Sequence, residues 1–109
     1  MNVYDQAHDL ARAIKESGEF AEFDRMRKAV ETDKDCSEML AEFQKLQVEL
    51  QTAQMTGKQP EADVMNRLQS LSTMLATKPL AAQFLQAEAA FSVMMNDVFK
   101  IIGEAVGLQ

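Results

Sequence analysis

The sequence predicts an all-α protein of about five helices, and three observations support this fold class. No window of the 109-residue chain alternates apolar and polar residues over a strand's length, and no run of β-branched residues occurs. Apolar residues recur instead at spacings of three and four, which is the period of one helix face. Only four Gly and two Pro interrupt the chain, so the predicted helices are long.

Capping residues divide the first half of the chain into three helices. Asn2 is a suitable N-cap for a first helix that ends near Glu16, and Ser17-Gly18 separates it from a second helix that stops near Thr32. Asp33 can cap a third helix from Lys34 to Thr56. The apolar face of the first helix carries four residues: Val3, Ala7, Leu10 and Ile14.

The turn Gly57-Lys58-Gln59-Pro60 predicts a long antiparallel helical hairpin, with Gly just past one helix and Pro at the start of the next. The core face of the fourth helix, which Lys78-Pro79 closes, reads Met65, Leu68, Leu71, Ser72 and Leu75.

The hairpin tip is polar. From Gln51 to Asp63 the only large apolar residue is Met55, so we expect this stretch to project into solvent. It is either a solvated turn or a docking site for a partner protein. The candidate docking residues are Gln54, Met55, Lys58 and Gln59.

The last helix, from Leu80 to Ala105, is apolar over most of its circumference. Between Leu80 and Ile102 only Glu88, Asp97 and Lys100 are charged, and such a helix must be covered on more than one side. A chain of this length is too small to provide that cover alone, so we expect a helical-bundle homodimer. The candidate interface residues are Phe84, Phe91, Met94, Met95, Val98, Ile101 and Ile102.

Composition and charge narrow the classes of function. The length predicts a single helical domain over residues 1–109. A net charge of -6 repels phosphate backbones, which argues against direct nucleic-acid binding. No stretch is apolar enough for membrane insertion. A lone cysteine and an N-terminus without a basic, apolar leader predict a cytoplasmic protein.

Three residues are of types that could carry chemistry, and none predicts a catalytic, cofactor or metal site. His8 is the single histidine, whereas a zinc or di-iron site needs three or four ligands. Cys36 falls in the first turn of a helix, where the helix dipole lowers a thiol pKa, but neighbouring carboxylates oppose that effect. Glu88 lies at the boundary of the apolar stripe, where a structural role is favoured over a catalytic one.

Three segments give the chain a resemblance to a known family. They are residues 2–17 (NVYDQAHDLARAIKES), residues 43–51 (FQKLQVELQ), and residues 84–106, which include Phe84-Leu-Gln-Ala-Glu88 and Asn96-Asp-Val-Phe-Lys-Ile-Ile-Gly-Glu-Ala-Val106. The chain resembles the YlbF/YmcA-like bacterial proteins, and within them the YheA-type branch.

The resemblance implies a small, helical, cytosolic protein that is often dimeric and has no established enzymatic activity. Better-studied branches of this family are regulatory partners in an assembly that influences RNA processing and development. Some relatives hold iron-sulfur clusters through cysteines, but a cluster usually needs four thiolates and this chain has only Cys36, so no cofactor is predicted.

The leading hypothesis is therefore a non-catalytic, homodimeric interaction or regulatory protein that engages another cytosolic protein through a helix face or groove. The alternative is a helical binding module that holds an apolar small molecule or a metal between its helices. An enzyme is disfavoured, because no set of residues fills the roles that a reaction requires.

Overall fold

A computed structural model describes residues 2–108, and these residues form five α-helices. In chain order they are α1 (Val3–Lys15), α2 (Gly18–Glu31), α3 (Lys34–Met55), α4 (Ala62–Ala76) and α5 (Pro79–Ala105). No strand occurs within these 107 positions. The all-α fold class and the number of helices are confirmed.

Side-chain caps set the N-termini of the first three helices, as the sequence predicts. The Asn2 carboxamide oxygen accepts hydrogen bonds from the backbone N–H groups of Tyr4, at 2.8 Å, and Asp5. Ser17 Oγ accepts from Phe20 N at 3.1 Å, and Asp33 Oδ1 accepts from Cys36 N at 3.0 Å. Each bond satisfies a backbone donor that has no partner inside its own helix.

The turn between α3 and α4 differs in one detail from the prediction. Gly57 has φ +75°, a left-handed conformation that ends α3 and that glycine adopts without steric cost. Pro60, however, does not begin α4. Glu61 is the N-cap, in an extended conformation, and the helix starts at Ala62. Pro79 does occupy the first position of α5, where its missing N–H costs nothing.

The chain divides into two compact units. One is formed by residues 2–27 with residues 84–108, and the other by residues 28–83, so α2 and α5 each contribute to both. The single domain over residues 1–109 stays a prediction.

The core of the unit formed by residues 28–83 lies where α3 packs against α4. Leu68, Leu71 and Leu75 are buried, as the spacing predicts, and so are Cys36 and Leu40 of α3. Met65 and Ser72, predicted on the same face of α4, are exposed. Helical spacing places both of them to one side of the three buried leucines.

The other unit has an aromatic core. The rings of Phe23 and Phe91 stack, with centroids 5.1 Å apart and an angle of 3° between their planes. Phe84 lies 5.9 Å from Phe23, and Phe20 lies 5.7 Å from Phe91. The four rings join α2 to α5, and aromatic pairs at such distances stabilise beyond the area that they bury.

Candidate interaction surfaces

Helix α1 presents an uncovered apolar face. Its apolar residues other than Ala13 fall within an arc of about 120° at the spacing of a helix, and Asp5, Asp9 and Arg12 fall on the opposite side. None of its 13 residues is buried in the structure, and Val3 is 79% exposed. Isolated helices shorter than about 12 to 15 residues are marginally stable in water, so this face needs a partner surface.

A second uncovered apolar surface lies at the end of α5, and we call it the C-terminal apolar surface. Phe99 is 59% exposed and Ile101 is 66% exposed, and these two residues point to different sides of the helix. The exposed members of the surface are Phe99, Ile101, Ile102, Val106 and Leu108. Several large apolar side chains exposed within ten residues are more than the isolated ones that a protein surface ordinarily carries, and such a group is a candidate interaction site.

The seven residues predicted for a dimer interface differ in accessibility. Ile101 and Ile102 are exposed, whereas Phe91, Met94, Met95 and Val98 are half-buried. Phe84 is only 7% exposed, because it belongs to the aromatic core with Phe23. Of the seven candidates, Phe84 is therefore the one that is already buried within a single chain.

Sequence reasoning missed part of this surface. Phe99, Val106 and Leu108 were not among the interface candidates; Phe99 lies in α5, and the other two follow its last residue. The apolar face of α1 was predicted from its spacing, but the residues of that face were not named as interface candidates. The separation of apolar from charged residues around α1 is visible in the sequence. Whether another helix covers the apolar face depends on the tertiary structure, which local spacing does not show.

Glu88 lies in α5 between these apolar groups and is half-buried. Burial raises the pKa of its carboxyl group above the ordinary value, because the charged form loses solvation. The boundary position predicted from its offset to the apolar stripe agrees with this environment.

The hairpin tip holds a cavity of about 250 Å³ between the end of α3, the turn and the start of α4. Lys58 and Gln59, two of the predicted docking residues, line it. Met55 is 83% exposed at the last position of α3, and Gln54 is also exposed. The apolar lining consists of Leu50, Ala53, Pro60 and Val64, and the remaining lining residues are Glu49 and Glu61.

Cys36 is fully buried, which the sequence did not predict. Burial raises the pKa of its thiol, Asp33 raises that pKa further, and Lys78 acts weakly in the opposite direction. Its thiol is therefore protonated at neutral pH and shielded from solvent, which is the environment of a structural cysteine.

His8 is exposed on α1. Within residues 2–108, no group of three or more His, Cys, Asp and Glu side chains has the arrangement needed to hold a metal ion. In the same part of the chain, no helix is both long enough and apolar enough to cross a bilayer.

A family model described as "Control of competence regulator ComK, YlbF/YmcA" matches residues 3–107. The chain belongs to this family. The resemblance inferred from the three sequence segments is thus confirmed.

Relatives in the UPF0342 group match this YlbF/YmcA family member over nearly its whole length. A UPF0342 protein of Symbiobacterium thermophilum is 38% identical over 104 residues, covering 95% of this chain and 93% of that protein. A UPF0342 protein of Caldicellulosiruptor saccharolyticus is 34% identical over 108 residues, covering 99% of this chain and 90% of that protein.

Two solved structures share the fold. A protein of unknown function (DUF964) from Bacillus stearothermophilus has a TM-score of 0.80 and 22% identity, covering 96% of this chain and 92% of that chain. A chain in the crystal structure of Bacillus subtilis RicA in complex with RicF has a TM-score of 0.64 and 21% identity, with coverage of 96% and 93%.

Proposed function

We propose that this YlbF/YmcA family member is a cytosolic, non-catalytic regulatory protein that acts through protein–protein contacts and associates with itself. The observation that carries the proposal is the uncovered apolar face of α1 together with the C-terminal apolar surface. The family's association with control of a competence regulator supports the regulatory role. The RicA–RicF complex, which contains a chain of similar fold, supports action through a protein partner.

The occupant of the two apolar surfaces is a second copy of the chain. Burying a Phe or Ile side chain that is otherwise exposed contributes about 1.5–3 kcal/mol, whereas association costs about 4–15 kcal/mol, so a stable dimer needs the exposed apolar residues of both surfaces together. Both surfaces belong to the same chain, so two copies can cover each other in a closed, symmetric arrangement.

Sedimentation equilibrium or light scattering of the full chain at micromolar concentration tests self-association. We expect the mass of a dimer for the wild type. Ile101→Asp and Leu10→Asp should weaken association by about 100-fold or more, because each places an unpaired charge in an apolar interface. Ser92→Asp on α5 and His8→Asp on α1 change exposed polar positions and serve as matched controls.

A wild-type chain that is monomeric throughout this concentration range would contradict the proposal. So would a dimer in which Ile101→Asp, Leu10→Asp and both controls have the same mass as the wild type.

A further inference from the structure

The cavity at the hairpin tip has an apolar wall and a charged rim. Leu50 and Ala53 from α3, Pro60 from the turn and Val64 from α4 are half-buried and form the wall. Exposed polar side chains form the rim: Glu49, Lys58, Gln59 and Glu61. An apolar wall with a few polar groups at its edge is the usual composition of a recognition pocket.

The size of the cavity limits what can occupy it. Pockets for drug-sized ligands span about 300–1,000 Å³, and this one has a volume of about 250 Å³. It therefore accommodates a single side chain, such as Leu or Met, better than a whole cofactor. Because the cavity opens to solvent and its rim residues are exposed, a segment of another protein can reach it.

The charges at the rim determine which residues can flank that side chain in the partner's sequence. Two carboxylates, Glu49 and Glu61, outnumber the one ammonium group of Lys58. The Glu61 side chain makes no capping hydrogen bond to α4, so its carboxylate is not used to close the helix. The net charge of -6 on the whole chain has the same sign. A segment that carries cations beside its apolar residue is complementary to this rim.

A row of amides continues the surface along α3. Gln47, Gln51 and Gln54 line a shallow depression that shares Leu50 with the cavity. Each carboxamide offers both donors and an acceptor. These groups can hydrogen-bond the polar backbone of a docked segment while its apolar side chain fills the cavity.

We propose that the hairpin tip is a docking site for a partner protein, and that it takes an apolar side chain flanked in sequence by Lys or Arg. A second copy of the chain fits this description poorly. Its own sequence places cations immediately on both sides of a single apolar residue only at Arg25-Met26-Arg27, and Met26 is buried. The site uses residues other than those proposed for self-association, so each proposal can fail without the other.

Three synthetic pentapeptide amides with blocked N-termini probe the site. The first has Leu at its centre and Arg on both sides, the second replaces both Arg with Glu, and the third replaces the central Leu with Ala. Binding to the full chain is followed by NMR through the methyl signals of Leu50, Ala53 and Val64. We expect saturable shifts with the first peptide and a Kd on the order of 1 mM.

The second peptide should bind at least about 3-fold more weakly than the first, the size expected for exposed charge pairs. This discrimination should disappear in the double variant Glu49→Gln/Glu61→Gln, which removes both carboxylates at exposed positions. The third peptide should bind about 10-fold more weakly, since the apolar side chain fills the cavity.

Ala53→Phe fills the cavity and should abolish the methyl shifts of Leu50 and Val64. Ala41→Phe, at an exposed position of the same helix outside the cavity, is the matched control and should bind like the wild type. The charge variants keep the test valid if Ala53→Phe proves unstable.

Three results would overturn the proposal: no saturable shift with the first peptide, equal binding of the Arg and Glu peptides, or wild-type binding by folded Ala53→Phe. Light scattering of the tip variants gives a fourth result that can overturn the proposal. A loss of dimer mass in Glu49→Gln/Glu61→Gln would identify a second copy as the occupant, whereas an unchanged mass supports a separate partner.

Discussion

Arg67 and Glu42 form a bidentate ion pair that joins α4 to α3. Arg67 Nε donates to Glu42 Oε2 at 2.7 Å, and Arg67 Nη2 donates to Glu42 Oε1 at 2.8 Å. The two residues are 25 positions apart, so the pair fixes one register of the hairpin rather than a local helical turn. The hydrogen bonds from Arg67 lower the pKa of the Glu42 carboxyl group.

The first prediction concerns acid stability. Because the folded-state pKa of Glu42 is lowered, its stabilising contribution is present above the unfolded-state pKa and is lost as pH falls through the folded-state value. Urea denaturation at pH 7 and at pH 3 should therefore show a stability advantage of wild type over Glu42→Gln that shrinks on acidification.

Glu38→Gln, one turn earlier on α3, is the control for this prediction. Glu38 faces Lys34 at 4.0 Å through a single exposed contact, so Glu38→Gln should change the free energy of unfolding by less than about 1 kcal/mol. An advantage of Glu42 that stays constant from pH 7 to pH 3 would contradict the role assigned to the ion pair.

The second prediction tests the hairpin core. Leu71 is fully buried, so Leu71→Ala should lower the free energy of unfolding by about 2–5 kcal/mol through lost burial and the cavity left behind. Ser72→Ala, at the next and exposed position, should change it by less than about 0.5 kcal/mol. Equal urea midpoints for the two variants would show that α3 and α4 do not form the core described.

Helix bounds and caps were predictable from sequence because they depend on nearby residues. Asn2, Ser17 and Asp33 each accept a backbone hydrogen bond two or three positions ahead, and Gly57 ends α3 by its own backbone conformation. Pro60 was predicted to begin α4 but lies in the turn before it, since the sequence does not reveal that Glu61 adopts the extended N-cap conformation.

The candidate surfaces were predictable only in part, because burial depends on which helices meet. The apolar excess of α5 was visible in the sequence, but helical spacing does not show that Phe84 packs on Phe23 while Ile101 stays exposed. The same limit explains why the burial of Cys36 was missed. The cavity at the tip brings Glu49 and Val64 together from two helices, which no local pattern indicates.

The third prediction tests whether position 57 requires glycine because of its backbone conformation or because of steric contact. A Cβ added at Gly57 would meet nothing within 4 Å, yet φ is +75°. Gly57→Ala should therefore lower the free energy of unfolding by about 1–2 kcal/mol through conformation alone. Gly18→Ala is the matched control, since its Cβ also meets open space and its φ is not positive. It should be neutral or stabilise by up to about 1 kcal/mol in thermal or urea denaturation.

The fourth prediction concerns Cys36, whose thiol is buried and whose pKa is raised. Iodoacetamide at pH 8 should alkylate it at least about 10-fold more slowly in the native chain than in the urea-unfolded chain, because the thiolate is both disfavoured and inaccessible.

Asp33→Asn retains a good N-cap while removing the negative charge that raises the pKa of the Cys36 thiol. It should lower the thiol pKa, measured by thiolate absorbance against pH, but leave native alkylation slow, since burial is the larger cause of the shift. Native alkylation as fast as that of the unfolded chain would mean that the segment around Cys36 opens readily, and that the thiol is available for chemistry after all.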